Sequence, residues 1–286
     1  MATTKGPFDD AFWQHLIDHG IFTANYIYAG GTRPPGPSNM DAILDMLEAP
    51  SPLSTLPSGA DYDAFVRANA LAASENDVMR NDVPLIEGNV SVADARCANG
   101  KVRFTNLNHL TDGTLVACQP DLYHGTQPDQ LHLAVRNILG NHVIPSSKPH
   151  LPATPNFFLE VKGPYEFLQV ATLQACYAGC LGARGMESLR SLARPAPTYE
   201  AKAYTIVSTC QNGMLIMYSI HAIPSPGGRI EYVMTQLGGW CLIGNAREFQ
   251  RGVLAYRNAR EWARQQREEA IAMANETVNW NMGEAS

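Results

Sequence analysis

No run of apolar residues in this chain approaches the roughly 20 needed to cross a bilayer. The opening stretch, "MATTKGPFDDAFWQHL", has no apolar run of signal-peptide length. These two absences predict an intracellular protein, nuclear or cytoplasmic, with no membrane partner. No basic cluster resembles a localisation signal. Cysteine is sparse: Cys97, Cys118, Cys176, Cys180, Cys210 and Cys241 are scattered with no CxxC pair, which excludes a disulfide framework. Cys176 and Cys180 could share a helix face, but no nearby His or Cys completes a zinc set, so they read as small core thiols. Excess positive charge is missing too. The formal net charge of −6 argues against a protein that coats nucleic acid non-specifically, while leaving room for a local basic cleft around an acidic centre. There is no Walker loop, no Gly-x-Ser-x-Gly elbow, no internal repeat and no low-complexity tract.

What is present suits a globular protein: 286 residues, 45% apolar and 17% charged, enough for a substantial core. Residues 1–60 form an N-terminal helical arm and linker in this reading. "DDAFWQHLIDHG" is a short amphipathic helix stopped by Gly20, "YAGGTRPPGPSN" a loop, "NMDAILDMLEA" a second helix halted at Pro50, and "PSPLSTLPSG" an extended linker. Phe12, Trp13, Leu16, Ile17, Ile43, Leu44 and Leu47 need a surface to cover, so the arm packs on the main domain, residues 61–286.

In the main domain, "DYDAFVRANALAASENDVMRNDVPLIEG" reads as one long helix ending before Pro84. "KVRFTNLNHL" and "GTLVACQPDLY" read as a hairpin turning at "TDG", with Leu115 to Leu122 a strand. "PDQLHLAVRNILG" is a helix with Asp129 at its start and Gly140 at its end, "NFFLEVKG" a strand, and "YEFLQVATLQACYAGCLGARGMESLRSL" a long helix. A hairpin turning at Asn212-Gly213, the strand "RIEYVMTQLGGW" and a long closing helix complete the chain. The order predicts an α/β (α+β) fold, a central sheet flanked by helices.

The stretch "PNFFLEVKGP" is the informative one. Alternation in a strand sends Phe157, Leu159 and Val161 to one face and Phe158, Glu160 and Lys162 to the other. The apolar set suits a core beneath the long helix that follows Pro164. Glu160 and Lys162 lie about 7 Å apart along the strand, and alone they match an exposed ion pair at a strand end. Asp121, after Pro120 near the end of the preceding strand, can turn toward a cleft, because proline marks an edge or disruption. Two carboxylates from neighbouring strands suit Mg²⁺ (or Mn²⁺), which takes oxygen ligands and leaves positions for water and phosphate. Lys162 would orient that water or stabilise charge on phosphorus. Asp129 has a sufficient role at a helix start. His124, beside a turn, reads as structural.

Pro120-Asp121 followed by Glu160-Val161-Lys162 resembles the Pro-Asp … Glu-x-Lys signature of the PD-(D/E)xK nuclease-like superfamily. Over nearly its whole length the chain is similar to an uncharacterised fungal family assigned to that superfamily, through "FWQHLIDHGIF", "PSNMDAIL", "QPDLYHG", "PNFFLEVKGP", "LQACYAGCLGARGMESL", "YTIVSTCQNGMLIMY", "YVMTQLGGW" and "AYRNAREWA". The resemblance implies a restriction-endonuclease-like mixed central sheet, a metal held by Asp121 and Glu160, and nucleic acid as partner. It also implies an acidic residue on the preceding helix, Glu75 or Asp77 with Glu75 preferred, and a polar residue on the following helix, Gln174. The function expected is a Mg²⁺-dependent nuclease; the alternative is an inactive module of that fold that binds nucleic acid or protein. Gly179, Gly182 and Gly185 recur every three residues inside the helix and predict close packing on the sheet. Arg257, Arg260, Arg264 and Arg267 could track a phosphate backbone, but Glu261, Glu268 and Glu269 among them favour a salt-bridged face.

Overall fold

The computed structural model describes residues 5–50, 56–90, 96–192, 199–225 and 227–284; positions 51–55 of the expected linker lie outside them. Among the described residues, seven strands form one mixed sheet. They are β1 (Ile21–Phe22), β2 (Ala98–Asn99), β3 (Leu122–Thr126), β4 (Ala153–Val161), β5 (Ala203–Gln211), β6 (Met214–Pro224) and β7 (Ile230–Cys241), in the order β1-β7-β6-β5-β4-β3-β2. β4 and β5 pair in parallel, as do β1 and β7; the other neighbours are antiparallel. The helices are α1 (Ala11–Asp18), α2 (Met40–Glu48), α3 (Gly59–Leu71), α4 (Glu75–Asp77), α5 (Val83–Glu87), α6 (Leu133–Val143), α7 (Leu168–Ser191) and α8 (Ala246–Glu284). No helix among the described residues is long and apolar enough to cross a membrane.

Both faces of the sheet are covered, so the central strands are buried on both sides. On one face α1 and α7 enclose Phe158, Val207, Tyr218 and Ile220; on the other, α2, α3, α5 and α8 enclose Phe157, Leu159, Val161, Ile206 and Leu215. Residues 5–50 contribute to the cores themselves: Phe12 and Leu16 enter one, Ile43 and Leu47 the other, and β1 extends the sheet. Trp13 and Leu44 stay partly exposed. The placement of α7 corrects one expectation. The long helix lies on the Phe158 and Glu160 face, not over Phe157, Leu159 and Val161, which α8 covers instead. Its glycines make that approach possible. A Cβ at Gly179 would stand 2.5 Å from Val207 Cγ1, and one at Gly182 2.7 Å from the Pro155 carbonyl oxygen. Cys176 and Cys180 are buried core thiols, as expected.

Three local expectations are also revised. The single helix expected over residues 61–83 is broken. α3 ends at Leu71, Ala72 is extended, and Ser74 starts a new helix by accepting the Asp77 N–H at 3.3 Å. A π turn, Val78–Asp82, then leads into α5, where Pro84 occupies the first turn and tolerates its missing N–H; Gly88, at φ 71°, ends the helix. The expected hairpin over 101–122 forms no ladder. Only isolated bonds survive there, Lys101 N–H to the Pro120 carbonyl and Phe104 N–H to the Cys118 carbonyl. The backbone N–H groups of Asn106 and Asn108 bond Pro145 and Asn141 around the end of α6, so these two donors are not available to a partner strand. Asp121 therefore directly precedes β3 rather than ending a strand. Pro128–Gln130 is a separate 3₁₀ turn; α6 begins after His132, whose Nδ1 accepts the Ala134 N–H, and runs past Gly140 to Val143.

Two buried titratable groups set the response to acid. Burial lowers His221, on β6, to about 4 from 6.5. Burial pushes Glu87 up, but His124, Arg260 and Tyr256 outweigh it and hold the carboxyl at about 2, below 4.5. Arg260 Nη1 lies 2.6 Å from Glu87 Oε2, and the Tyr256 hydroxyl donates to Oε1. In both cases the unfolded chain takes up the proton first, so stability is full above the unfolded value and lost as pH falls toward the folded one. Stability is expected to drop by about 3 kcal/mol between pH 6.5 and 4 through His221, and by a similar amount between 4.5 and 2 through Glu87. Urea midpoints measured across this range in His221→Gln should lose the first step and keep the second.

Candidate active site

The C-terminal end of β4 places Glu160 on the α7 face, Lys162 follows one residue past the strand, and both are buried: Glu160 is 1% exposed and Lys162 2%. Asp121 reaches the same point from the start of β3, which runs antiparallel beside β4 with Leu122 opposite Leu159. Its Oδ2 accepts the Val161 N–H at 2.9 Å, fixing a side chain that Pro120 frees from the ladder. Gly100 allows this placement; a Cβ there would lie 2.0 Å from the Asp121 carbonyl oxygen.

The Asp121 and Glu160 carboxyl groups interact directly. Burial lifts Asp121 to about 6, opposed by the Val161 N–H and reinforced by the nearby charge of Glu75. Glu160 is pushed well above its ordinary value, first by burial and then by the charge of Asp121. Among the described residues neither Glu160 oxygen has a hydrogen-bond partner at full geometry; Asp121, through its carboxyl and its backbone N–H, is the group that lies against it. A buried carboxylate in that condition is several kcal/mol out of balance unless it takes a proton or a cation.

Lys162 is held differently. Its Nζ donates to Glu75 Oε2 at 3.0 Å and to the Val161 carbonyl at 2.9 Å, while its backbone N–H bonds the Cys210 carbonyl of β5. Glu75 opens α4, and its other oxygen takes Lys101 Nζ at 3.1 Å. Burial would raise Glu75, but Lys162 and Lys101 prevail and hold it below its usual value. Gly163 lets the two segments meet, since a Cβ there would stand 2.9 Å from the Glu75 nitrogen. Asp77, the other acidic candidate, is turned to the helix start, where Oδ2 accepts the Ser74 hydroxyl and the Ala73 N–H.

The site opens on two sides. Glu160 lines a cavity of about 330 Å³ together with Gln174, Arg103 and Gln119, and the Gln174 Oε1 is buried there without a partner. Glu75 and Lys101 line a separate cavity of about 350 Å³ with Ser74, Gly163 and Tyr165. Asp121, Glu160, Lys162 and Gln174 are thus gathered around the end of β4, with Glu75 engaged by the lysines. Glu75, Asp121 and Glu160 do not close into a three-carboxylate cluster; among the described residues the one convergence of three metal-type ligand atoms is at His15, His19 and Asp112. The Asp121 and Glu160 oxygens, hard donors and partly orphaned, fit a cation such as Mg²⁺ or Mn²⁺.

Lys101 and Arg103 escaped the sequence argument. Lys101 lines the second cavity and Arg103 the first, but their segment is not a strand, so no alternation in "KVRF" marked them. His124 points to the opposite face, 3.2 Å from Glu87 Oε2, and is structural. The arginines of α8 are engaged: Arg264 pairs with Glu261 and Glu268, Arg260 with Glu87, Arg257 donates to the Leu85 and Ile86 carbonyls, and Arg267 is buried against Asn156. Only Arg260 and Arg264 are salt-bridged as expected; Arg257 and Arg267 are held by backbone and amide oxygens instead. Compared with known proteins, the chain matches no family model, no curated protein and no solved structure.

Proposed function

We propose that this chain is a nuclease of the PD-(D/E)xK kind, with a restriction-endonuclease-like fold, that hydrolyses phosphodiester bonds of DNA or RNA with Mg²⁺ or Mn²⁺. The observation that carries the reading is Glu160, a buried carboxylate whose oxygens lack a hydrogen-bond partner at full geometry, lying against Asp121 and two residues from an anchored ammonium. Asp121 and Glu160 would hold the cation. When bound, it supplies a lowered water pKa and neutralises charge at the phosphoryl oxygens. Asp121 keeps Oδ2 on the Val161 N–H while its side chain lies against Glu160. Lys162 has two of its three donors satisfied by Glu75 and Val161, which leaves one for a water or a phosphate oxygen. Gln174 offers an amide to the same phosphate from the cavity that Glu160 lines.

A second reading is favoured by the Glu75–Lys162 pair, which engages the ammonium a nuclease needs. In that reading the fold is an inactive module that binds nucleic acid or protein. Calorimetry with Mg²⁺ and Mn²⁺, alongside cleavage of single-stranded DNA, duplex DNA and RNA, separates the two. The nuclease reading expects a metal site in the wild type that Asp121→Asn weakens at least about tenfold. It also expects Lys162→Met to keep the metal and lose cleavage by about 100-fold or more. Metal binding without cleavage by the wild type would select the module. No site dependent on Asp121 and Glu160 would end both metal assignments.

A further inference from the structure

We infer that His15, His19 and Asp112 form a second cation site, separate from the carboxylates at β4 and suited to a borderline divalent ion of the Zn²⁺ kind. His15 and His19 lie four residues apart at the end of α1, one turn of helix, with ring centroids 4.3 Å apart. Phe12 and Leu16, both buried, fix which face of α1 they occupy. Asp112 comes from the turn before Thr114, and one ligand atom from each of the three residues falls within 4.8 Å of the others. Atoms sharing one Zn²⁺ at roughly 2.0–2.2 Å lie about 3.5 Å apart, so small side-chain rotations close the set.

The second observation concerns which atoms are available. His19 Nδ1 lies 2.8 Å from the His15 carbonyl oxygen. A carbonyl only accepts, so Nδ1 carries the proton and the Nε2 lone pair is free, the arrangement that orients a ligating imidazole. His15 is 5% exposed, and its Nε2 is buried without a hydrogen-bond partner, although Asp112 Oδ1 is 3.2 Å away. Asp112 Oδ1 also accepts the Thr114 N–H and hydroxyl, which steadies the carboxylate. Two imidazoles, one carboxylate and an open position suit Zn²⁺, with Ni²⁺ or Cu²⁺ as competitors, and not Mg²⁺, which takes oxygen ligands.

Lys5 opposes loading. Its Nζ lies 3.3 Å from His15 Nδ1. An ion at Nε2 sends the ring proton to Nδ1, so Lys5 must withdraw. The bound ion would tie α1 to the segment where Lys5 and Val116 already bond, through Lys5 N–H to Thr114 and Val116 N–H to Lys5.

The test is Zn²⁺ titration of the chelator-treated full chain by calorimetry, with Co²⁺ absorption reporting coordination geometry. Asp112→Asn and His19→Gln alter side chains outside the core and are each expected to weaken binding about 10- to 100-fold. Lys5→Ala is expected to bind more tightly, and millimolar Mg²⁺ to leave binding unchanged. Equal affinity in the wild type and both ligand variants, no binding by the wild type, or weaker binding in Lys5→Ala would overturn the assignment.

Discussion

Glu160→Gln is expected to make the protein more stable at pH 7, by about 1–3 kcal/mol, while removing divalent-cation binding at β4 and any cleavage that depends on it. The carboxyl is 1% exposed, neither oxygen has a hydrogen-bond partner at full geometry, and burial and the charge of Asp121 raise its pKa well above the ordinary value. Its folded pKa is raised, so the sign is opposite to that of Glu87. The wild type is at no disadvantage below pH 4.5, and is increasingly destabilised as pH rises through the range where the unfolded chain has already lost its proton. Over that range the wild type must either keep a proton that the unfolded chain gives up or bury the charge, and both lower its stability. The amide has the same shape, carries no charge and can donate to Asp121. Thermal and urea unfolding at pH 5 and 7.5 should show a gap between variant and wild type that widens with pH. A loss of stability in Glu160→Gln at both pH values would mean the carboxylate is a structural partner and not a site held at a cost, the trade-off expected of functional groups.

Gly182→Ala is expected to destabilise the fold by about 1–3 kcal/mol, against the direction that helix propensity sets. In an open helix interior the change would gain up to about 1 kcal/mol. Here the new Cβ meets the Pro155 carbonyl oxygen at 2.7 Å and the Phe158 ring at 2.8 Å, and backbone cannot turn aside as a flexible side chain can. α7 must move off β4, carrying Gln174 with it and disturbing the cavity that Glu160 lines. Gly140→Ala in α6 is the control: its nearest neighbour is the Ile144 Cδ1 at 3.8 Å, ordinary contact, so this variant should be neutral or stabilised. Urea unfolding of the pair checks both signs, and similar effects from the two substitutions would contradict the packing argument.

Several elements were legible because their causes are local. Period-two alternation marked β4 and separated Phe157, Leu159 and Val161 from Phe158, Glu160 and Lys162. Asn212-Gly213 turns between β5 and β6 with φ of 48° and 71°, the left-handed pair those two residues tolerate best. The three-residue glycine spacing forecast the close seat of α7. Helix and strand were read wrongly where tertiary partners compete with local preference. Ser74 and Asp77 restart a helix that propensity would continue, and Asn106 and Asn108 bond the end of α6, leaving only scattered bonds between the two expected strands.

The sequence by itself determined which residue types could do chemistry and that Glu160 and Lys162 share a strand face, because side-chain direction in a strand follows from backbone geometry alone. Only the tertiary structure decided that α7 covers that face, that Glu160 lies there without a donor, that Glu75 and not Asp77 meets Lys162, and that His15 and His19 find Asp112. Those outcomes depend on desolvation and on partners as much as 97 residues away in the chain. Neither is encoded in spacing, and both are set when the two cores close on the sheet.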